Sequence, residues 1–235
     1  MSDRFYVPGT WSERIELEGP ESQHLARVLR AEVGDSVEIF DGQGRAASAN
    51  VAEIKKRSVI LQLSSTTRTD PVLKTELVLA VASPKGDRLR WMIEKITELG
   101  VDRFIPLKTE RSVVQPGETK LAKLEQTVIA ACKQCGRNRL LAVDEISLLT
   151  ELFDRFDDGQ TQFLWGDASG EPLKASAMTA RRVIAVIGPE GGWSPREREF
   201  FAARKAGAVT LSRQILRVET AAVAFASLLG VARLD

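Results

Sequence analysis

The chain is short of the residues that build metal centres and redox sites: its 235 positions include two cysteines and one histidine. Cys132 and Cys135 form a CxxC, but with no other cysteine and only the distant His24, a Cys/His zinc site is excluded. A catalytic dithiol sits at a helix N-terminus after a strand. This CxxC ends a helical pattern, where the dipole disfavours a thiolate, so both residues read as small packing side chains. Long apolar runs are missing as well. The most apolar stretch, TAAVAFASLLGVA at 220–232, is shorter than the roughly 20 residues a bilayer span needs and is expected to be a buried helix. The opening residues MSDRFYVPGTW carry charge and a Pro-Gly turn where a secretory leader needs an apolar stretch, so a cytoplasmic protein with reduced thiols is expected. A net charge of +1 does not announce a nucleic-acid binder.

What is present describes a globular chain, 43% hydrophobic and 28% charged, long enough for one large or two ordinary domains. Its charge is unevenly placed. Residues 1–72 hold nine Lys/Arg against eleven Asp/Glu, whereas residues 85–139 hold twelve against seven. A local basic face is therefore open to an acidic partner.

The hydrophobic pattern changes character along the chain. Up to about residue 65 it predicts short alternating strands at 36–40, 47–54 and 58–63, with the turn FDGQGR between the first two. Leu25, Val28 and Leu29 predict one helix ended by Gly34. The polar stretch 64–74 is the expected linker. Beyond it, strands at 76–82, 104–107, 163–165 and 183–187 alternate with helices. One has Leu89, Met92, Ile93, Ile96 and Leu99 inward, and one, over 119–132, has Leu121, Leu124, Val128 and Ile129 inward. This predicts an α/β domain with a parallel sheet covered on both faces.

Three segments carry candidate chemistry. In VIGPEGGWSPRERE (186–199) an apolar strand runs into a glycine loop, and Ser194, Pro195 and Glu197 supply a capping box for the next helix. The loop lacks the GK[ST] of a P-loop and the third glycine of GxGxxG, so it is not a common nucleotide fingerprint. In LSRQILRVETAA (211–222), apolar residues without a period precede a helix, as in a loop that contacts a flat ligand or caps a core. In SPKGDRLR (83–90), Lys85 and Arg88 lie just past a strand end, where phosphate contacts are plausible.

Taken together, GPEGG after an apolar strand, ILRxET before the last helix, EKxxELGV with ER downstream, QCGRNR, and HLxxVLR near the N-terminus resemble the bacterial 16S ribosomal RNA uridine-N3 methyltransferases (the RsmE family). The resemblance covers nearly the whole chain. It implies a PUA-like RNA-binding barrel over 1–70 and a SPOUT-type α/β methyltransferase domain over 71–235, with a C-terminal trefoil knot. Periodicity alone predicts an ordinary doubly wound sheet, because chains are almost never knotted. The cofactor implied is S-adenosylmethionine. The implied partners are 16S rRNA in the small ribosomal subunit and a second copy of the chain, with no metal and no membrane. Rival readings are a SPOUT enzyme acting on another RNA, such as a tRNA ribose 2′-OH, and a non-catalytic RNA-binding assembly factor.

By the same resemblance, Ile187, Gly188, Pro189, Glu190, Gly191 and Gly192 form one cofactor loop. Leu211, Ile215, Leu216 and Arg217 form a second, and Trp165 with Gly166 a third. Gly191→Val is expected to abolish cofactor binding in a folded protein. Uridine N3 is a poor nucleophile while protonated. Arg217 is the candidate for stabilising the uridine anion, and Glu110, Glu219 or water for taking the proton. Gln134, Arg137 and Asn138 are expected near the active site. His24, Arg27 and Arg30, at i, i+3 and i+6 of one helix, are expected to track RNA phosphates with Lys85, Arg88, Arg111, Gln134, Arg137 and Arg139. Family members commonly read EQxGRNR where this chain has Lys133 in place of the Glu, which favours a structural or RNA-facing position there.

Overall fold

The computed structural model describes residues 3–112, 118–173 and 180–233. By contacts the chain forms two compact units, Met1–Val72 with Cys132–Leu140, and Leu73–Ala131 with Leu141–Asp235.

Among the described residues, six strands make the first unit's sheet. They are β1 (Arg4–Tyr6), β2 (Arg14–Glu18), β3 (Ser36–Phe40), β4 (Arg45–Ile54), β5 (Ser58–Leu63) and β6 (Arg68–Thr69). The order is β1-β3-β4-β5-β2, with β6 on β4. Alternation places Ile15 and Leu17 of β2 inward while Arg14, Glu16 and Glu18 face water. The core these strands enclose is built from Phe5, Ile39, Val51 and Leu61 with their neighbours.

The expected helix departs from the α period. Helix α1 (Gly19–Gln23) widens into a π-helical turn at His24–Val28, with the Leu29 N–H reaching back to the His24 carbonyl at 3.0 Å. The wider turn rotates the apolar stripe, so Leu25 is 1% exposed whereas Val28 is 69% exposed. Arg30 takes a left-handed φ of 55° and leaves the helix. His24, Arg27 and Arg30 therefore do not share one regular helical face. The expected linker is also partly structured. Its β6 pairs with β4, and the Asp70 N–H donates to the Gly44 carbonyl at 2.8 Å.

The segment 132–140 belongs to the first unit through specific bonds. Arg4, 8% exposed, donates from Nη1 to the Cys132 carbonyl at 2.9 Å and from Nη2 to Asn138 Oδ1, and pairs with Glu38 at 2.8 Å. Asn138 Nδ2 donates to Asp70 at 2.9 Å. Leu140 N–H bonds the Gly42 carbonyl at 2.9 Å, and the Arg139 guanidinium lies where a Cβ on Gly44 would be, 2.6 Å away. Lys133 pairs with Glu21 at 2.8 Å and lies 4.9 Å from the centre of the Phe5 ring.

The second unit is a parallel sheet. Its strands are β7 (Glu76–Val81), β8 (Arg103–Lys108), β9 (Ala142–Val143), β10 (Ser147–Leu148), β11 (Thr161–Pro172), β12 (Arg182–Ile187) and β13 (Gly207–Thr210). The order is β10-β8-β7-β12-β11-β13, with β9 on β8. Its helices are α2 (Asp87–Glu98), α3 (Glu118–Cys135), α4 (Leu149–Phe156), α5 (Pro195–Ala203) and α6 (Val218–Val231). The last four residues of α3 group with the first unit. Strands β7 and β12 are buried from their second residue onward, as helices on both faces require. Val78, Ala80, Ile184 and Val186 turn to the face holding Leu152, Phe153 and Phe201. Helix α6 packs on β7 and β12 and against α2. Gly100, at φ 81°, follows α2, and Leu124, Val128 and Ile129 of α3 are buried; the Leu121 side chain lies outside the described residues.

Candidate active site

Parallel strands bring all their C-terminal ends to one edge, where helix N-termini and loop amides are free to face a ligand. At that edge of β11, β12 and β13 lies a cavity of about 490 Å3. Three segments wall it: 166–168, 187–193, and 209–218.

The middle segment follows β12. Ser194 caps α5, accepting from the Glu197 N–H at 3.2 Å while Glu197 accepts from the Ser194 N–H at 2.8 Å. Glu197 is buried, and its other oxygen accepts from the Glu110 N–H at 3.0 Å. The loop is braced at Gly188, where a Cβ would come within 2.8 Å of the Trp193 indole. Trp193 is buried, stands edge-on to Phe201 at 4.8 Å, and donates from Nε1 to the Gly166 carbonyl at 3.0 Å. One ring thus ties the end of β11 to the loop after β12. Gly191 is less constrained: a Cβ there would make an ordinary contact with Arg111, 3.5 Å away. Gly192 needs its freedom for φ 66°.

In β11, Gly166 and Glu171 both pair with Val209, so residues 167–170 bulge from the ladder. Gly170 permits this, since its Cβ would lie 2.5 Å from the Val209 nitrogen. The bulge turns Asp167 to the cavity, where it meets Arg198 at 2.5 Å and Ser169. Burial pushes the Asp167 carboxyl up, but the Ser169 hydroxyl and amide and the Arg198 guanidinium outweigh it and hold the group below the usual carboxylate range.

The third segment supplies apolar and cationic groups. Leu211, Ile215 and Leu216 line the cavity, with Ile215 93% exposed. Arg217 is the N-cap of α6, is exposed, and has no ion pair among the described residues.

The expected site residues divide by location. Gly166, Ile187, the run from Gly188 to Gly192, Leu211, Ile215, Leu216 and Arg217 line this cavity. Trp165 does not: it lies inside β11, and its ring stacks on Phe201 at 4.6 Å in the core. Arg111 Nη1 donates to the Gly191 carbonyl at 2.9 Å, holding the glycine loop. Arg88 Nη1 lies 3.9 Å from Glu190 and 3.7 Å from Glu219. Glu219 is 6% exposed, and its Oε2 has no hydrogen-bond partner among the described residues. The Glu110 side chain and Lys85 are exposed. His24, Arg27, Arg30, Gln134, Arg137, Asn138 and Arg139 belong to the first unit. Asp167, Trp193 and Arg198 escaped the sequence reading. Trp193 had a usable signal, as the large apolar residue directly after GPEGG.

A parallel α/β sheet with a glycine-walled cavity at its C-terminal edge, carried with a small β-rich unit, defines a class. Residues 71–230 match the RNA methyltransferase domain family and residues 17–64 the RNA methyltransferase PUA domain family, giving an α/β methyltransferase domain with an N-terminal PUA domain. Ribosomal RNA small subunit methyltransferase E of Bacillus subtilis is 30% identical over 219 residues, covering 88% of this chain and 86% of that protein. The solved ribosomal RNA small subunit methyltransferase E of Neisseria gonorrhoeae, bound to S-adenosyl methionine, superposes with a TM-score of 0.90 at 29% identity over 98% of both chains. A putative methyltransferase of Legionella pneumophila, in complex with SAM, gives 0.86 at 29% identity, covering 99% of this chain and 98% of that one. The chain belongs to the ribosomal RNA small subunit methyltransferase E family.

Proposed function

We propose that the chain is an S-adenosylmethionine-dependent methyltransferase acting on N3 of a specific uridine in 16S ribosomal RNA. In this reading it works in the cytoplasm as a homodimer on the assembled small subunit, with residues 1–70 as its RNA-binding barrel and 71–235 as a knotted catalytic domain. The observation that carries it is the cradle at Gly188, whose Cβ would strike Trp193 within a cavity of about 490 Å3. That volume lies in the range of about 300–1,000 Å3 typical of cofactor sites. Main-chain groups of Gly188–Gly192 suit a narrow polar slot, and Leu211, Ile215 and Leu216 suit a flat adenine.

The cofactor supplies a methyl group made electrophilic by its sulfonium. The chain's task is to render uridine N3 nucleophilic. Arg217, charged and without an ion pair among the described residues at the cavity wall, is suited to stabilise the uridine anion. The N3 proton goes to a carboxylate or to water. Glu219, with an open acceptor oxygen beside Arg88, suits this better than the exposed Glu110.

Nucleoside mass spectrometry of 16S RNA from cells with and without the gene tests the reading. 3-Methyluridine is expected to vanish with the gene. Its persistence, or loss of a ribose 2′-O-methyl mark instead, overturns it. Arg217→Ala is expected to lose turnover by more than about 100-fold while still binding cofactor, measured by methyl incorporation and calorimetry.

A further inference from the structure

The first unit holds a cavity of its own, about 440 Å3, formed where the end of β2 and α1 meet the β4–β5 hairpin. Its lining brings together four cations, Arg27, Lys55, Lys56 and Arg57, with one carboxylate, Glu18. Lys55 is already committed, 3.6 Å from Glu16, whose carboxyl the Ser58 hydroxyl and Lys55 hold below the usual range. Arg27, Lys56 and Arg57 have no ion pair among the described residues. The surrounding sequence is acidic on balance, nine Lys/Arg against eleven Asp/Glu over residues 1–72, so this cluster runs against the charge of that stretch.

The cations are also presented on a fixed frame. The Lys55 N–H closes the hairpin on the Ser58 carbonyl at 2.9 Å. Buried Ser22 Oγ lies 3.2 Å from the Arg57 carbonyl and 3.0 Å from that of Gly19, tying the hairpin to α1. Unneutralised cations around a concavity, on a backbone that does not have to be ordered on binding, select an anion at small entropic cost.

We propose that this cavity seats one nucleotide of the substrate RNA, with Lys56 and Arg57 as phosphate contacts and Arg27 as a third. The inference rests on the reading of the chain as an RNA methyltransferase. A guanidinium beside an ammonium matches a phosphodiester, the first through two parallel donors and the second as a point charge.

The test is fluorescence anisotropy of a labelled uridine-rich RNA oligonucleotide with the full chain over a series of salt concentrations. Lys56→Ala/Arg57→Ala is expected to weaken binding about tenfold or more and to lower the slope of log affinity against log salt by about two. Thermal melting of the variant checks that it folds. Arg14→Ala, a charge removed from the other end of β2, is expected to change both much less. Unchanged affinity and slope in the double variant overturn the proposal, as does an equal loss in Arg14→Ala. A third overturning result is uridine monophosphate binding that the double variant loses while its RNA affinity stays intact. The two readings separate cleanly. 3-Methyluridine formation with RNA affinity indifferent to Lys56 and Arg57 sinks the cavity alone, and lost affinity without that product sinks the chemistry alone.

Discussion

At the edge of the second unit's sheet where strands begin, charged side chains interlock. Glu76 on β7 accepts from Arg103 on β8 at 3.2 Å and from Arg182 on β12 at 2.7 Å. Arg103 continues to Asp144 at 2.6 Å, and Arg182 to Asp158 at 3.2 Å. At the opposite edge, 166–168, 187–193 and 209–218 surround a cavity, with one indole tying Gly166 to the loop at Gly188 and Arg217 without an ion pair among the described residues. The same strands thus end in a clamp on one side and a slot on the other. Cross-strand ion pairs fix register at the first edge. The edge proposed to hold the cofactor has Arg217 without an ion pair among the described residues and takes its order from Trp193.

Changes at one edge should therefore leave the other's property intact. The largest effect is expected from Gly188→Val, because the added side chain must displace Trp193. Overpacking of this kind costs about 1–3 kcal/mol, expected as roughly 10- to 100-fold weaker S-adenosylmethionine binding by calorimetry, with Gly191→Ala close to the parent. Equal losses at both positions would break the contrast. Next, Glu76→Ala removes the acceptor shared by two arginines and is expected to cost about 2 kcal/mol of stability in urea titration, with cofactor affinity unchanged. Trp193→Phe keeps most of the ring but loses the bond to Gly166, about 1 kcal/mol, expected mainly in cofactor affinity rather than in Tm.

The smallest effect is a pH dependence. Burial pushes the Glu76 carboxyl up, but hydrogen bonds and attraction from Arg182 and Arg103 bring it below its ordinary 4.5. The folded protein thus binds this proton less readily than the unfolded chain. Its stabilisation is complete above that value and is lost as pH falls through the lower, folded one. The stability gap between parent and Glu76→Gln should close in urea titrations at progressively lower pH below 4.5. A gap that is constant through this range would show that the charge on Glu76 contributes nothing.

Much of this architecture was legible in the sequence. Strands 36–40 and 58–63 and the capping box at Ser194 are where the pattern puts them, because alternation, β-branching and cap chemistry are local. The π turn at His24–Val28 was not legible. Its residues fit an α period equally well, and the phase change shows only in the structure, in the Leu29 N–H bond to the His24 carbonyl and in the burial of Leu25 with exposure of Val28. The same limit hid the bulge at 167–170, since a register shift in β11 depends on what β13 presents across from it. In the site, the glycine loop announced itself by composition. Which glycine has room for a side chain depends on Trp193, a tertiary contact.

Arg4 donates to the Cys132 carbonyl and to Asn138, partners 128 and 134 positions further along the chain. The first unit accordingly has no single cut point: a fragment ending at Val72 would leave Arg4 its pair with Glu38 but take away the acceptors of both its terminal nitrogens. During synthesis the same arrangement imposes a delay. Residues up to 72 emerge first, but their sheet must wait about 70 more residues, several seconds at roughly 5–20 residues per second, before the segment that completes it leaves the ribosome. The N-terminal module begins first, yet it is completed only when residues 132–140 of the later chain arrive.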